Sequence, residues 1–197
     1  LVFGGMLTLV EIAVRAVTRH GAQGTTAYKL RDVVYFLLAA FIDAAVFLTS
    51  SAFAETMATE RLPDLLSGVS VAMAPWPLAL QVVMILFIWD VVAYGSHRLL
   101  HTPWLWPLHA VHHAPRQLCW LASTRSHPLN QFLVKLVQGV IAGSVGSLAG
   151  AAIAGGIARL YGHFIHLRVP ISYGWLDYVI VSPFLHHWHH AVEPGAR

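Results

Sequence analysis

Apolar residues in this chain run in long blocks instead of alternating, and a block of about twenty predicts a helix able to cross the hydrocarbon core of a bilayer. Three such spans are expected. The first covers Leu1 to Val17 and is interrupted by Glu11 and Arg15, which are four apart and can pair on one helix face. The second covers Val33 to Ala54, with Asp43 near its middle; the pattern leaves this carboxylate open between a functional group and a polar contact with another helix. The third covers Pro77 to Tyr94, entered through Pro75 and Pro77, with Trp76 as an interface anchor. Its helix is expected to continue to Thr102 before Pro103 ends it. That is about 39 Å at 1.5 Å per residue against about 30 Å of hydrocarbon, so the last turns project beyond the acyl chains.

Composition agrees with a bilayer setting. The chain is 57% hydrophobic and 11% charged with a mean hydropathy of +0.63, far from the roughly 25% charged share of a soluble domain. A net charge of +3, spread along the chain, argues against nucleic acid as a partner. The single cysteine, Cys119, excludes an internal disulfide framework and a cysteine-based zinc site, which leaves nitrogen and oxygen as metal ligands. The chain begins at Leu1 inside an apolar run and stops seven residues after His190, so both ends read as truncated. Arg15, Arg19, Lys29 and Arg31 cluster between the first two spans, whereas Glu55, Glu60, Arg61 and Asp64 follow the second. The first loop is therefore expected in the cytoplasm and the second outside, so that the third span exits on the cytoplasmic face.

Histidines are distributed unevenly. Twelve of thirteen lie between His97 and His190, most of them in three blocks: His97 with His101, His109 with His112 and His113, and His186 to His190 interrupted by Trp188. On the third helix Asp90, Tyr94, His97 and His101 follow one another at spacings of four, three and four, along a single face. Imidazoles at i and i+4 can bind one ion, and Asp90 could accept the distal N–H of a ligand or the hydroxyl of Tyr94. In each HxxHH block three nitrogens can serve one or two ions. Eight imidazoles exceed the three or four that one zinc takes, so the count favours two metals, while ligand type alone leaves iron, copper and zinc open.

The apolar segment from Gln131 to Leu160 bears on the same point. A single crossing would put the final histidine block on the opposite side from His97, so the segment is expected to return as a re-entrant hairpin or two short tilted helices turning near Gly143 to Gly150. Gly139, Gly143, Gly146 and Gly150 form small-xxx-small pairs that permit close helix approach. Trp175, Leu176, Tyr178 and Val179 would follow at the inner interface. The expected fold class is all-α, a multi-pass membrane helical bundle with a cytosolic-face, histidine-lined dimetal site. Residues 1–73 form N-terminal helices and loops, and residues 74–197 form the histidine-bearing region of one integrated domain.

The run Asp90-Val-Val-Ala-Tyr94-Gly-Ser-His97-Arg98-Leu-Leu-His101, followed by Trp106-Pro-Leu-His109-Ala-Val-His112-His113, Arg125-Ser-His127-Pro128, His166 and Pro183-Phe-Leu-His186-His187-Trp188-His189-His190, resembles the fatty acid hydroxylase and sterol desaturase superfamily over about residues 86 to 192. Members are integral membrane, non-haem di-iron oxygenases. The resemblance implies His97, His101, His109, His112, His113, His186, His189 and His190 as metal ligands, with His166 and His127 added. His163 is not required by the pattern, His187 occupies a non-ligand position, and His20 is read as an ordinary loop residue. Two departures stand out: Arg168 where the family often has Asn after His-x, and Asn130 where an acid is usual.

The same resemblance implies two iron ions, O2 as co-substrate, a lipid substrate that is hydroxylated or desaturated, and a separate redox protein as electron donor, since the chain carries no haem, flavin or iron–sulfur motif. It contains no dinucleotide fingerprint, phosphate loop, HExxH or nucleophile elbow. Two alternatives remain as expectations. A histidine-lined metal transporter would need ligands distributed along a membrane path, and a zinc hydrolase would need a glutamate base inside a histidine block. Neither pattern is present.

Overall fold

A computed structural model of the chain describes residues 30–56, 60, 71–115, 118–145 and 147–191. The expected span Leu1–Val17 with its Glu11–Arg15 pair lies outside the described residues, as do His20, Gly146, Arg116 and most of the charge pattern used for orientation. The described residues form helices α1 (Leu30–Thr56), α2 (Leu78–Leu100), α3 (Trp106–His113), α4 (Pro128–Val145), α5 (Leu148–Ile165) and α6 (Pro183–His189). Two 3-10 turns, Trp120–Thr124 and Gly174–Tyr178, complete them, and no strand occurs among the described residues. Among the described residues, three helical stretches are long and apolar enough to cross a membrane: Asp32–Ala54, Leu78–Leu100 and Leu148–Ile165.

The residues cluster into two compact units. Described residues up to Phe36, His112–Arg125 and those from Arg159 onward form the first; Leu37–Val111 and Ser126–Ala158 form the second.

The second unit is a helical pack built around α2. Its backbone begins at Pro77, whose missing N–H costs a helix start nothing, and closes at His101, whose N–H reaches the carbonyl of His97 at 3.2 Å. Ile85 and Trp89 of α2 are buried among Ala142 and Val145 of α4 and Ala151 and Ala154 of α5. Small residues on α5 make room for the larger side chains of α2. A Cβ on Gly150 would come within 3.2 Å of Ile85, and one on Gly155 within 3.7 Å of Trp89. Since Ile85 meets Gly150 and Trp89 meets Gly155, α5 runs parallel to α2. Helix α4 runs the other way, its Asn130 and Leu133 lining a cavity with Ser96 and Leu99 while Ala142 and Val145 join Val82 and Ile85. Helix α4 ends at Val145 and α5 begins at Leu148.

Asp43 belongs to this unit and makes polar contacts with α4. Gln131 of α4 donates to it at 2.5 Å and the Lys135 ammonium lies 3.8 Å away. A carboxylate within a membrane span is thereby paired across α1 and α4. One turn further, Gly139 lets α4 approach so closely that an added Cβ would sit 2.9 Å from the carbonyl oxygen of Phe47.

The first unit is held by the segment 118–125. Asp32, in the first turn of α1, forms a buried ion pair with Arg125, and Phe36, one turn along, packs edge-on against Trp120 with ring centroids 6.0 Å apart. Leu167 and Val169 are buried with Trp120 and Phe164 around them. Ser182 caps α6 by accepting from the N–H of Leu185 at 3.3 Å, ahead of Pro183. Tyr161 donates its hydroxyl to the carbonyl of Val181 at 2.7 Å, tying the end of α5 to the chain entering α6. Between them Gly174, at φ +64, lets the chain fold so that Asp177 accepts from Ser172 (2.5 Å) and from the N–H of Tyr173 (3.0 Å). The Ser172 hydroxyl is the main reason that the Asp177 carboxyl is held below its ordinary range. This turn leaves Trp175, Tyr178 and Val179 exposed, as an interfacial position requires.

Candidate metal centre

In the first unit, four imidazoles from three separate stretches of chain converge. His112 comes from α3, His166 from the residue after α5, and His186 and His190 from the body and C-cap of α6; each offers a nitrogen, and all four nitrogens lie within 4.8 Å of one another. His166, His186 and His190 are buried and His112 is half-buried. Nε2 of His186 stands 3.0 Å from Nε2 of His166 and 3.1 Å from Nε2 of His190.

Tautomers follow from the opposite side of the rings. Nδ1 of His166 lies 2.7 Å from the carbonyl of Gly162, and Nδ1 of His112 lies 3.1 Å from the carbonyl of Arg125. A carbonyl only accepts, so each Nδ1 carries the proton and each neutral ring presents a bare Nε2 lone pair to the cluster. A proton on Nε2 of His186 could serve one of its two close neighbours. A cation at the centre serves every lone pair at once, and at about 2.0–2.1 Å from each nitrogen it sets neighbouring nitrogens about 3–4 Å apart. The residues therefore fit a metal ion, and the second nitrogens of His112 and His166 are held by outer acceptors as in many metal sites.

Burial keeps these rings neutral. His166 is pushed well below the ordinary histidine range by desolvation and then by the charge of a protonated His112, and His190 is lowered by desolvation and then by His112 and its other neighbours. His187 is lowered by burial too, with Arg168 adding to the effect, and it takes no part in the cluster. The position read as a non-ligand is thus placed apart from the four. Arg168 is half-buried, beside His187.

The block at the C-terminus divides by helix geometry. His186 and His190 are 40° apart around α6 and point into the cluster, while His189 lies about 100° from His190 and packs against His113, ring centroids 4.8 Å apart. His113 also stacks on His190 at 4.2 Å. Each HxxHH motif thus splits its rings between directions.

A second group occupies the second unit. His97 and His101, one turn apart at the end of α2, bring their Nε2 atoms within 3.3 Å, and His109 of α3 meets both rings edge-on at centroid distances of 4.5 and 4.8 Å. His109 is buried and the other two are half-buried. Trp106, one turn before His109, packs on His101 at 5.3 Å and covers that side.

Other residues expected at the site fall elsewhere. Asp90 and Tyr94 are exposed on α2, and the hydroxyl of Tyr94 accepts from Arg98 at 3.2 Å. His127 does not join the three histidines of its unit; its Nδ1 accepts from the N–H of Leu129 at 3.2 Å, serving the start of α4. Asn130 is buried and donates to Ser126 at 2.9 Å. His163 is buried with Nδ1 2.6 Å from the hydroxyl of Ser123 and 3.1 Å from the carbonyl of Trp120. Asp32, Ser123 and the carbonyl of Gly162 carry no local sequence signal that ties them to the histidines. Asp32 and Arg125 are 93 residues apart.

Comparison with known proteins gives the same direction. Residues 82–196 match the fatty acid hydroxylase family, a stretch that contains both histidine groups. Over 122 residues the chain is 34% identical to ornithine lipid hydroxylase OlsE of Rhizobium tropici, an alignment covering 59% of this chain and 36% of that protein. The chain thus spans about a third of the length of this relative. No solved structure matches it. With more than half of its length matched and the histidine spacing intact, the chain belongs to the fatty acid hydroxylase family.

Proposed function

We propose that this chain is the metal-binding core of a membrane lipid hydroxylase. The reaction converts an unactivated C–H bond to C–OH, with one oxygen atom of O2 entering the lipid and the other leaving as water, at the expense of two electrons and two protons. The electrons come from a separate redox protein. The observation that carries the reading is the quartet of His112, His166, His186 and His190, three of them buried, in which His112 and His166 commit their other nitrogens to backbone carbonyls. His97, His101 and His109 hold a second ion, and His113 and His189 are further ligands by the family resemblance. Iron bound at these residues supplies the O2 activation that such a bond demands. The hydroxylase name of the Rhizobium tropici relative favours hydroxylation over desaturation.

The protein's own part is to bind, orient and exclude. Neutral buried imidazoles do not take protons in place of a cation, and their surroundings keep bulk water from the reacting bond. A cavity of about 160 Å³ between α2 and α4, walled by Val92, Leu99, Leu133 and Val137, has room for a stretch of alkyl chain. Ser96 lines it one residue from His97 and turns its hydroxyl to the carbonyl of Ala93 at 3.0 Å, leaving a largely apolar wall. A lipid held there reaches the metal from the side of the bilayer, with the histidines at the cytoplasmic face.

The test is metal analysis of the full chain purified from membranes, followed by incubation with O2, a reductant system and lipid extract. Two irons per chain and a lipid product heavier by one oxygen atom are expected. Zinc alone with hydrolytic activity, or transport of metal without lipid oxidation, overturns the reading.

A further inference from the structure

We infer that the buried Asp32–Arg125 ion pair is a positioning device for His112. The proposal rests on reading the quartet as a metal site. Nε and Nη2 of Arg125 both reach Oδ1 of Asp32, and both residues are buried, at 6% and 4% exposure. Arg125 is fixed at two further points. Its N–H donates to the carbonyl of Ala122 at 3.0 Å, closing the turn Trp120–Thr124, and its own carbonyl receives Nδ1–H of His112. The side chain of Arg125 is therefore anchored to α1 while its backbone oxygen sets the rotation and tautomer of a quartet ring.

The neighbouring contacts isolate that link. Phe36 holds Trp120 from α1, and His163 holds Ser123 and the carbonyl of Trp120 from α5, so the turn itself is pinned without Asp32. What Asp32 adds is its hold on the guanidinium of Arg125. A buried guanidinium that loses its carboxylate must move toward water, and the attached carbonyl moves with it. His112 then keeps its place on α3 but loses the acceptor that fixes its lone pair. Outer partners of metal-bound histidines are worth about 10–100-fold in metal affinity.

The experiment titrates the full chain, purified metal-free in detergent, with Co2+ and follows both its visible ligand-field absorption and its thermal unfolding. Asp32→Asn is expected to weaken one class of Co2+ site about tenfold or more and to alter its spectrum. Asp32→Glu, which restores the charge, recovers most of the affinity. Ile85→Ala, a cavity in the core of the second unit, lowers the melting temperature without changing Co2+ affinity. Arg125→Lys retains an ion pair and the backbone carbonyl, and its loss of affinity falls between wild type and Asp32→Asn, which keeps the proposal testable if Asp32→Asn does not fold. Unchanged Co2+ affinity and spectrum in Asp32→Asn or in Arg125→Lys overturn the positioning role. A wild-type chain that binds no Co2+ overturns the metal reading itself.

Discussion

The two histidine groups solve one chemical problem with different amounts of support. The quartet of the first unit draws His112, His166, His186 and His190 from three distant stretches, three of its rings are buried, and two are locked by backbone carbonyls. The trio of the second unit comes from the end of α2 and the adjoining α3, and only His109 is buried. A site assembled from remote segments needs the rest of the fold to be in place, and in return its geometry is set before the ion arrives. A site at a helix end is local and more open to water. The comparison leads us to expect a tightly held ion in the quartet and a more exchangeable one in the trio.

Removing a quartet ligand tests the stronger half of this contrast. His186→Ala is expected to lower iron content by about one per chain and to cut hydroxylation on the order of a hundredfold or more, measured as product per bound iron. Metal removal tests the ordering itself: dialysis against a chelator should release iron in two phases, the first leaving His97→Ala protein and wild type with the same residual metal. Equal release from both sites would erase the distinction. Filling the apolar cavity with Val137→Trp separates substrate from metal. Turnover should fall about tenfold while iron content stays at the wild-type value, since the change touches van der Waals space and no imidazole.

Two smaller effects concern stability. Gly139→Ala places a methyl group against Phe47 and Ser50 and should cost about 1–3 kcal/mol, read as a lower melting temperature with metal content preserved. The pH dependence of the metal-free chain follows from His166 and His190, whose folded-state affinities for protons are lowered by burial. Unfolding exposes rings that titrate near pH 6.5, so in the window below that value the unfolded chain binds more protons and stability falls as pH falls. Between pH 7.5 and 5.5 the melting temperature should drop by a few degrees. Above pH 7 the curve should be flat from these groups.

Regular periodicity made the helices legible. The span read as Val33–Ala54 lies in α1, and the span read as Pro77–Tyr94, whose helix is expected to continue to Thr102, lies in α2 with caps at Pro77 and His101, because apolar length and proline boundaries are local properties. The histidine blocks were visible for the same reason. Their division was not. His109 turns to His97 and His101 while His112, three residues on, turns to His166, and this depends on which faces of a two-turn helix meet which neighbours. The tie from Asp32 to Arg125 spans 93 positions and leaves no periodic trace. His127 is a motif position whose Nδ1 accepts from the N–H of Leu129 at the start of α4.

The contact between Asp43 and its partners has a consequence for biogenesis. Asp43 leaves the ribosome 88 residues before Gln131, so α1 enters the bilayer before the contact with α4 exists. A mid-span aspartate opposes insertion by about 3 kcal/mol, yet the span keeps a mean hydropathy of 2.1 with Asp43 included. The helix is inserted on the strength of its leucines, valines and phenylalanines, and the contacts of Asp43 with Gln131 and Lys135 form only once α4 is made.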